Sequence, residues 1–367
     1  MSSLSPIKPL LTIVQRLGID LIHERYRAIE PIGQTYGGAT FKGIDQQTRK
    51  QVFIKYLIGS RGELNRAKFA MERDALKNIS LFDANLVPKL LTTEEFPDIE
   101  SSAIITEWVD GELLSDWLGR SAPYSMNDKL AVFARITRAL SIATLPYLHR
   151  DFHPGNVMLL PESTVRIGPE YIDNPRKIDP GVKILDWGEA LPVISGNYDD
   201  EPEHHFTMLT LGPRTIGGAF SSLPPEIFKP WVGNQHFGGT YEAWGMAVLL
   251  YRMLTGKDFN ALKSIGEYVR QIYDGTLKQI VASRASELAS LQLPGGGIIP
   301  RLFEWMCKEE PAGRAPLSMV GHALFDILYE RLNLNGPDLK RYMSYLANGE
   351  PFTPKGGWKY RREFDLD

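Results

Sequence analysis

A change in the spacing of apolar residues divides this sequence into two parts and limits the folds that it can adopt. Between residues 25 and 58, apolar and polar residues alternate in three short runs separated by turn-forming residues: "RYRAIEPIG", "GATFKGID" and "QVFIKYLI". Alternation of this kind is typical of strands, so we expect a three-stranded meander. After "DGELLSDWL" the apolar spacing becomes helical in most segments. The sequence therefore predicts an α+β protein in which a strand-rich lobe precedes a helical lobe.

The same pattern predicts four regions along the chain. We expect an N-terminal extension at 1–24, a strand-rich lobe at 25–109, a helical lobe at 110–330 and a C-terminal tail at 331–367, which is expected to be partly ordered from about Gly336 onward. The extension carries an apolar stripe at helical spacing, formed by Leu11, Ile13, Val14 and Leu17. This stripe predicts a helix that packs on the smaller lobe, and a helix that binds a partner protein is the alternative.

Charge and cysteine content exclude several classes of protein. The formal net charge is −3, so there is no overall basic field of the kind that binds nucleic acid or anionic membranes. A single cysteine, Cys307, excludes an intrachain disulfide and suits a reducing compartment. The apolar run "AWGMAVLLYRML" is too short to span a bilayer and contains Arg252, and no secretory signal pattern is present at the N-terminus. We expect a soluble, cytoplasmic protein.

Two segments combine an apolar, strand-like run with acidic and turn-forming residues. They are "LHRDFHPGNVML" at 148–159 and "VKILDWGEA" at 182–190. A carboxylate at a strand end, such as Asp186, suits Mg²⁺, and Asn156 offers a neutral oxygen. Asp151 can accept a proton from a hydroxyl group. The first segment taken alone is more typical of a turn with internally bonded side chains. Only a fold could bring Asn156 and Asp186 together.

Taken in order along the chain, these and other motifs resemble the protein kinase superfamily from about residue 26 to about residue 328. His149-Arg150-Asp151 with Asn156 resembles the family's catalytic-loop motif. Asp186-Trp187-Gly188 resembles its metal-binding motif. Six further landmarks match in the same order: the strand-three lysine motif Val52–Lys55, the helix glutamate Glu72, the hinge Thr106–Val109, Pro224-Pro225-Glu226, the long helix "YEAWGMAVLLYRMLTG" and the late arginine Arg314. The resemblance implies a bilobal kinase fold with ATP between the lobes.

The resemblance also implies roles for individual residues in phosphoryl transfer from Mg-ATP. Lys55 would hold the α- and β-phosphates, and Glu72 would hold Lys55. Asp186 and Asn156 would bind Mg²⁺, and Asp151 would orient and deprotonate the acceptor hydroxyl.

The adenine site and phosphate loop follow from the same resemblance. Adenine would lie against Ile32 and Met158 and bond backbone groups near Glu107 and Val109. The loop over the phosphates, "IGQTYGGATF", keeps Gly33 and Gly38 but has Thr35 where a second glycine is usual. Phe53 stands where a small alanine normally faces adenine, so the nucleotide must shift or the pocket must repack. These two substitutions are the argument for a weak or inactive enzyme that binds nucleotide or a partner.

The residue at position 153, a histidine, helps to distinguish a protein from a small molecule as the acceptor of the phosphate. Serine/threonine protein kinases usually have a lysine two residues after the catalytic aspartate, whereas "DFHPGN" resembles the loop of aminoglycoside and choline phosphotransferases. That branch generally lacks the counterparts of Arg150, Glu226 and Arg314, all present here. We therefore expect a serine/threonine kinase acting on a protein substrate. A small-molecule kinase and a nucleotide-binding pseudokinase are the alternatives.

Regulation is expected at the activation segment, which the resemblance implies runs from Asp186 to Glu226. Arg150 beside the catalytic aspartate suggests a site that a phosphate could pair with, ordering the segment. Thr215, eleven residues before Glu226, is the candidate for that phosphate.

Overall fold

The computed structural model describes most of the chain in nine stretches. They are 8–34, 38–57, 62–120, 124–161, 180–193, 222–228, 240–262, 264–329 and 332–348. Two positions singled out in the sequence, Thr35 and Thr215, lie outside the described residues, as does most of the insertion between Asn156 and Asp186.

The chain forms two compact units. The first combines 1–120, 142–167 and 171–218, and the second combines 121–141, 168–170 and 219–367. The region boundaries expected from the sequence, after residues 24, 109 and 330, remain predictions.

A six-stranded antiparallel sheet dominates the first unit, with the strand order β1-β2-β3-β4-β6-β5. Its strands are β1 (Leu21–Ile22), β2 (Tyr26–Gln34), β3 (Gly38–Asp45), β4 (Gln51–Leu57), β5 (Leu90–Phe96) and β6 (Ser101–Glu107). The meander expected from the alternating pattern is β2–β3–β4, and the alternation of buried and exposed residues along β3 and β4 confirms it.

The N-terminal extension covers one face of this sheet. Helix α1 (Lys8–Arg16) buries Leu10 and Val14 in the same apolar cluster as residues of β2, β3, β4 and β6. The hydroxyl of Tyr56 on β4 donates a buried hydrogen bond of 2.6 Å to the carbonyl of Ile19, which fixes the connection after α1. The expected packing of the helix on the strand-rich region is thus confirmed.

The buried face of α1 differs from the stripe expected from the sequence. Of that stripe only Val14 is buried, whereas Ile13 and Leu17 are 41% and 40% exposed. Leu10 and Val14 are four residues apart and so lie on one side of the helix. Residues 13 and 17 form a parallel row with the same spacing, and the sequence does not indicate which row faces the sheet.

The remaining elements of the first unit carry the polar residues discussed below. Helix α2 (Gly62–Phe82) lies between β4 and β5 in sequence, followed later by β7 (Glu112–Leu113) and α3 (Leu114–Gly119). Short strands β9 (Val157–Leu159) and β10 (Val182–Ile184) pair antiparallel, and β7 joins them in a three-stranded sheet. Strands β8 (Tyr147–Leu148) and β11 (Leu191–Pro192) form a separate pair.

The second unit is helical in its described part. Its helices are α4 (Met126–Ala143, whose last two residues belong to the first unit), α5 (Tyr241–Thr255), α6 (Ile265–Tyr273), α7 (Thr276–Ser290), α8 (Ile298–Met306), α9 (Leu317–Leu328) and α10 (Gly336–Asn348). No helix within the described ranges is long and apolar enough to cross a membrane. In the tail, Tyr342 of helix α10 is buried and donates a hydrogen bond to Asp326 of α9. The partial order expected for the tail remains a prediction, because residues 349–367 lie outside the described residues.

Four short 3₁₀ turns complete the described structure. They are Pro97–Ile99, Pro154–Asn156, Pro225–Phe228 and Pro311–Gly313.

Candidate active site

One lysine joins three elements of the first unit. The Nζ atom of Lys55 on β4 lies 2.7 Å from Oε2 of Glu72 on α2 and 2.7 Å from Oδ1 of Asp186, which follows β10. The Lys55 and Glu72 side chains are 19% and 9% exposed, whereas that of Asp186 is 45% exposed. The cluster is therefore enclosed on the helix side and open at Asp186.

Electrostatics keep this cluster charged at its open end. Burial would lower the pKa of Lys55, but the charges of Asp186 and Glu72 outweigh it and hold that pKa above its ordinary value. The charge of Lys55 lowers the pKa of Asp186 to about 2, so Asp186 is a carboxylate at neutral pH. Burial raises the pKa of Glu72, with Lys55 opposing the shift.

The local sequence explains how Lys55 and Glu72 meet. Because side chains alternate along a strand, β4 points Val52, Ile54 and Tyr56 into the apolar cluster under α1, and Lys55 points to the opposite face. On α2, the buried positions are Glu72, Ala75, Leu76 and Ile79, which share one side of a helix. Glu72 thus sits at the edge of the packed face of α2.

The backbone of Leu185 brings Asn156 and Asp186 together across the intervening insertion. The Leu185 N–H donates to the carbonyl of Asn156 at 2.8 Å, and the Leu185 carbonyl lies 2.8 Å from Nε2 of His149. Asp186 follows with a left-handed backbone (φ 55°), a conformation that non-glycine residues rarely adopt. Strain of this kind persists where the surroundings fix it, which is common at functional sites.

His149 is a structural residue. Its Nδ1 accepts a hydrogen bond from the Asp151 N–H at 3.3 Å, so Nε2 carries the hydrogen donated to Leu185. The ring is fully buried and lies 4.7 Å from the ring of Trp187, which is also fully buried. Burial lowers the pKa of His149 to about 4, so the ring is neutral at physiological pH.

The loop that follows presents Asp151 to solvent on a fixed backbone. The Asn156 amide nitrogen donates to the Asp151 carbonyl at 3.0 Å, and the Asp151 side chain is 39% exposed. Arg150 is buried and has a left-handed backbone (φ 64°). The carboxylate of Asp151 is therefore accessible, while its main chain is held by His149 and Asn156.

His153 caps the turn between Asp151 and Asn156. Its Nδ1 accepts from the Gly155 N–H at 3.1 Å, and its Nε2 lies 3.8 Å from Oδ2 of Asp151. Burial lowers the pKa of His153, which favours the neutral ring. In place of the flexible lysine cation usual here, this chain has an imidazole whose free nitrogen faces the Asp151 carboxylate.

The residues expected at the adenine site are mostly part-buried. Met158 and Val109 are partly buried and Ile32 is 43% exposed. Phe53 is partly buried and lies on the same face of β4 as Lys55. Its effect on nucleotide position stays a prediction.

The two glycines expected over the phosphates, Gly33 and Gly38, are closely packed against other protein atoms. A Cβ on Gly38 would lie 1.8 Å from the carbonyl oxygen of Tyr56, so pairing of β3 with β4 requires glycine there. A Cβ on Gly33 would lie 3.2 Å from Oγ1 of Thr40. Strand packing thus accounts for Gly38 without any contact to phosphate.

Lys183 was not anticipated. This β10 residue donates to the Val87 carbonyl at 2.8 Å and lies 2.9 Å from Oε1 of Glu107, and its side chain is only 11% exposed. The Glu107 N–H in turn donates to the Lys89 carbonyl at 2.9 Å. The sequence feature that could have indicated its role is the position of this lysine inside an otherwise apolar run, "VKIL". Lys183 ties β10 to the segment expected to bond adenine.

Comparison with known proteins identifies the family. Residues 26–325 match the family described as Protein kinase domain. This chain belongs to the protein kinase family. The strand-rich first unit and the helical second unit fit its bilobal fold, which confirms the fold class expected from the sequence.

Curated relatives are distant protein kinases. Serine/threonine-protein kinase TIO of Arabidopsis thaliana is 21% identical over 256 residues, covering 70% of this chain and 16% of that protein. Probable serine/threonine-protein kinase fhkE of Dictyostelium discoideum is 23% identical over 234 residues, covering 61% and 28%. Cyclin-dependent kinase D-1 of Oryza sativa subsp. japonica is 21% identical over 318 residues, covering 85% and 63%. This chain spans less than a third of the length of the first two relatives.

Proposed function

We propose that this protein is a serine/threonine protein kinase that transfers the γ-phosphate of ATP to a protein hydroxyl. The observation that carries the proposal is the position of Lys55, bonded at 2.7 Å to both Glu72 and Asp186. Kinase catalysis depends on a strand lysine paired with a helix glutamate, and on a metal-binding aspartate at the same site. The naming of the relatives as serine/threonine kinases supports the choice of acceptor.

Lys55 would hold the α- and β-phosphates. Its ammonium is kept charged by two carboxylates, and the side facing Asp186 is the open side of the cluster. Glu72 lies on the enclosed side, where it fixes the direction of the ammonium. A charged group held in place before the substrate arrives stabilises developing phosphate charge without reorganisation.

Asp186 and Asn156 suit a magnesium ion. The first is an exposed carboxylate kept ionised by Lys55, and the amide nitrogen of the second is used by the Asp151 carbonyl, which leaves its oxygen as an acceptor. Oxygen ligands of this kind match Mg²⁺, which is usually held by one or two protein carboxylates together with phosphates. Consistent with that, the described residues contain no cluster of three or more His, Cys, Asp or Glu side chains that could hold a metal by themselves. When bound, Mg²⁺ would neutralise charge on the phosphate oxygens.

Asp151 would orient the acceptor hydroxyl and take its proton. Its carboxylate is accessible, and its main chain is fixed by hydrogen bonds with His149 and Asn156. The neutral imidazole of His153 faces it at 3.8 Å and can limit its rotation. Adenine would lie near Ile32 and Met158, with Gly33 and Gly38 in the strands that flank the phosphates.

Regulation, location and partners complete the proposal. A phosphate on Thr215 would form an ion pair with Arg150, which is buried and directly precedes Asp151 in the sequence. The reducing character expected from Cys307 suits a cytoplasmic enzyme. A partner at α1 would contact the exposed row formed by Ile13 and Leu17, because Leu10 and Val14 are already covered.

The test is phosphate transfer from γ-labelled ATP with Mg²⁺ to a mixture of protein acceptors, followed by identification of the labelled amino acid. We expect phosphoserine or phosphothreonine in the wild type and a loss of at least about a hundredfold in Asp151→Asn. Asp98→Asn, at an exposed aspartate of the Pro97–Ile99 turn, is the matched control and should keep wild-type activity.

Two other outcomes would contradict the proposal. Labelling of aminoglycoside or choline acceptors without protein labelling would indicate a small-molecule kinase. Stabilisation of the fold by ATP with no transfer to any acceptor would indicate a nucleotide-binding pseudokinase.

A further inference from the structure

Helix α2 is packed along only part of its length. Its buried residues are Glu72, Ala75, Leu76 and Ile79, and none of the residues from 66 to 71 is buried. Apolar packing therefore holds the helix from Glu72 onward. Residues 68–71, directly before Glu72, are only partly buried, so a further attachment in this part of the helix would help to keep Glu72 beside Lys55.

Lys68 supplies that attachment. Its ammonium bonds the carboxylate of Glu189, which follows Gly188 in the "DWGEA" segment. The two side chains are only 21% and 22% exposed, so the pair is better shielded from water than an ordinary surface ion pair. The Lys68–Glu189 pair therefore joins the 66–71 part of α2 directly to the start of the activation segment.

The segment from Asp186 to Glu189 runs along one face of α2. Lys68 and Glu72 are four residues apart, so they project from the same side of the helix about 6 Å apart along its axis. A Cβ on Gly188 would lie 3.6 Å from Oε2 of Glu72. The middle of the segment therefore lies against α2 near Glu72. The Lys68–Glu189 contact therefore lies one turn before Glu72 and holds a part of α2 that has no fully buried side chains.

We propose that Lys68 is a positioning residue, which holds the first half of α2 to Glu189 and thereby keeps Glu72 bonded to Lys55. The proposal rests on the kinase function proposed above and extends it to the control of α2. Both partners belong to the chain itself, so this attachment forms without a phosphate on Thr215. The position of the first half of α2 then depends on a charge pair that a modification or a partner could break.

The experiment uses charge reversal and charge exchange in the whole 367-residue chain after phosphatase treatment. The variants are Lys68→Glu, Glu189→Lys and the double variant that carries both. Arg66→Glu is the matched control, because Arg66 is exposed in the same half of α2 and lies about 200° around the helix from Lys68. Each variant is measured by steady-state kinetics and by hydrogen exchange of the amides of residues 66–71.

We expect each single reversal to lower kcat by roughly tenfold to a hundredfold with little change in KM for the protein acceptor, because Glu72 and Lys55 lose their alignment. Exchange of the 66–71 amides should speed up in both single variants. The double variant should recover kcat and protection, and Arg66→Glu should match the wild type in both.

Failure of the double variant to recover protection, or single variants with wild-type protection, would overturn the inference. Hydrogen exchange also separates this inference from the proposed function. If the wild type transfers no phosphate, the kinase proposal fails, and the exchange data alone then decide whether Lys68 and Glu189 hold α2.

Discussion

Two carboxylate–cation pairs, one in each unit, have the same chemistry and opposite surroundings. Lys55 pairs with Glu72 in the first unit, and Arg314 pairs with Glu226 in the second. The first pair was expected from the kinase resemblance, and Glu226 and Arg314 were two of its landmarks. Their geometry in the structure separates a pair that serves a ligand from a pair that serves the fold.

The Arg314 pair is closed. Nη1 and Nη2 each donate to one oxygen of Glu226 at 2.6 Å, and Nε donates to the Lys308 carbonyl at 2.7 Å. The Glu309 carbonyl accepts a further bond, and the Arg314 side chain is fully buried. A bidentate pair with these additional bonds has its strong donors satisfied by protein.

The Lys55 pair is open. Its ammonium is shared by Glu72 and by the exposed carboxylate of Asp186, so a lone positive charge faces two negative ones. An excess of negative charge at an accessible edge suits a metal ion with its phosphate ligands. The comparison implies that removing Arg314 damages folding, whereas removing Lys55 damages chemistry.

The largest expected effect is on folding in the second unit. Arg314→Leu should lower the free energy of unfolding by about 3–5 kcal/mol, because Glu226 is left buried without a counter-charge. Urea denaturation measures this loss. Arg341→Leu is the control, since Arg341 pairs with Asp338 on the surface, and it should cost less than about 1 kcal/mol. Equal losses of unfolding free energy in Arg314→Leu and Arg341→Leu would contradict the claim that the buried pair stabilises the fold more than a surface pair.

The next effect is on catalysis in the first unit. Lys55→Met should lower kcat/KM by about a hundredfold to a thousandfold, because a fixed charge at the phosphates is lost. The free energy of unfolding should change by less than about 1.5 kcal/mol, since loss of the ion pair is offset by relief of the cost of burying the ammonium, and the cluster is open to water at Asp186. Kinetics and urea denaturation of the same preparation check both values. A variant that unfolds like Arg314→Leu would show that the Lys55 pair is also structural.

A pH dependence of stability should belong to the first unit. Between pH 6.5 and the folded pKa of about 4, His149 binds a proton in the unfolded chain and stays neutral in the folded chain. Stability is therefore full above pH 6.5 and is lost as the pH falls, by on the order of 3 kcal/mol at pH 4. Urea midpoints at several pH values should show a shallower slope in His149→Phe. An unchanged slope would contradict the assignment.

The smallest effect concerns the N-terminal extension. Tyr56→Phe should cost about 1–2 kcal/mol, because the Ile19 carbonyl loses its buried hydrogen bond. Tyr273→Phe in the second unit removes a similar bond to the Phe228 carbonyl at an exposed position and should cost less than about 0.5 kcal/mol. Thermal denaturation compares the two, and equal losses would show that burial of the Tyr56 bond has no consequence.

Local alternation of apolar and polar residues predicted the strands well. The alternation in "GATFKGID" and "QVFIKYLI" is a direct result of one buried face, and the structure has β3 and β4 there. The pairing of Lys55 with Glu72 followed from the family resemblance, since spacing alone did not join a strand residue to a helix residue. The helix α1 was also expected, but its buried row was not, because two rows of apolar residues compete for one surface.

Contacts between charged residues far apart in sequence gave no usable signal. Lys68 and Glu189 are 121 positions apart, and each is one of many similar residues in the chain. Which charges meet is decided by how α2 and the segment after β10 pack in the fold. The same holds for Lys183 and Glu107, although the lysine's place in an apolar strand marked it as unusual. Helix α10 was not predicted either, because its contact through Tyr342 depends on α9.

The most direct test of the account is calorimetric titration with ATP, with and without Mg²⁺, on the wild type and on Asp186→Asn. If the open cluster is a site for a nucleotide and a metal ion, Mg²⁺ should tighten ATP binding to the wild type by at least about tenfold. The same addition should change the affinity of Asp186→Asn by less than about twofold. Equal magnesium dependence in the two proteins would contradict the claim that Asp186 and its neighbours form the catalytic centre.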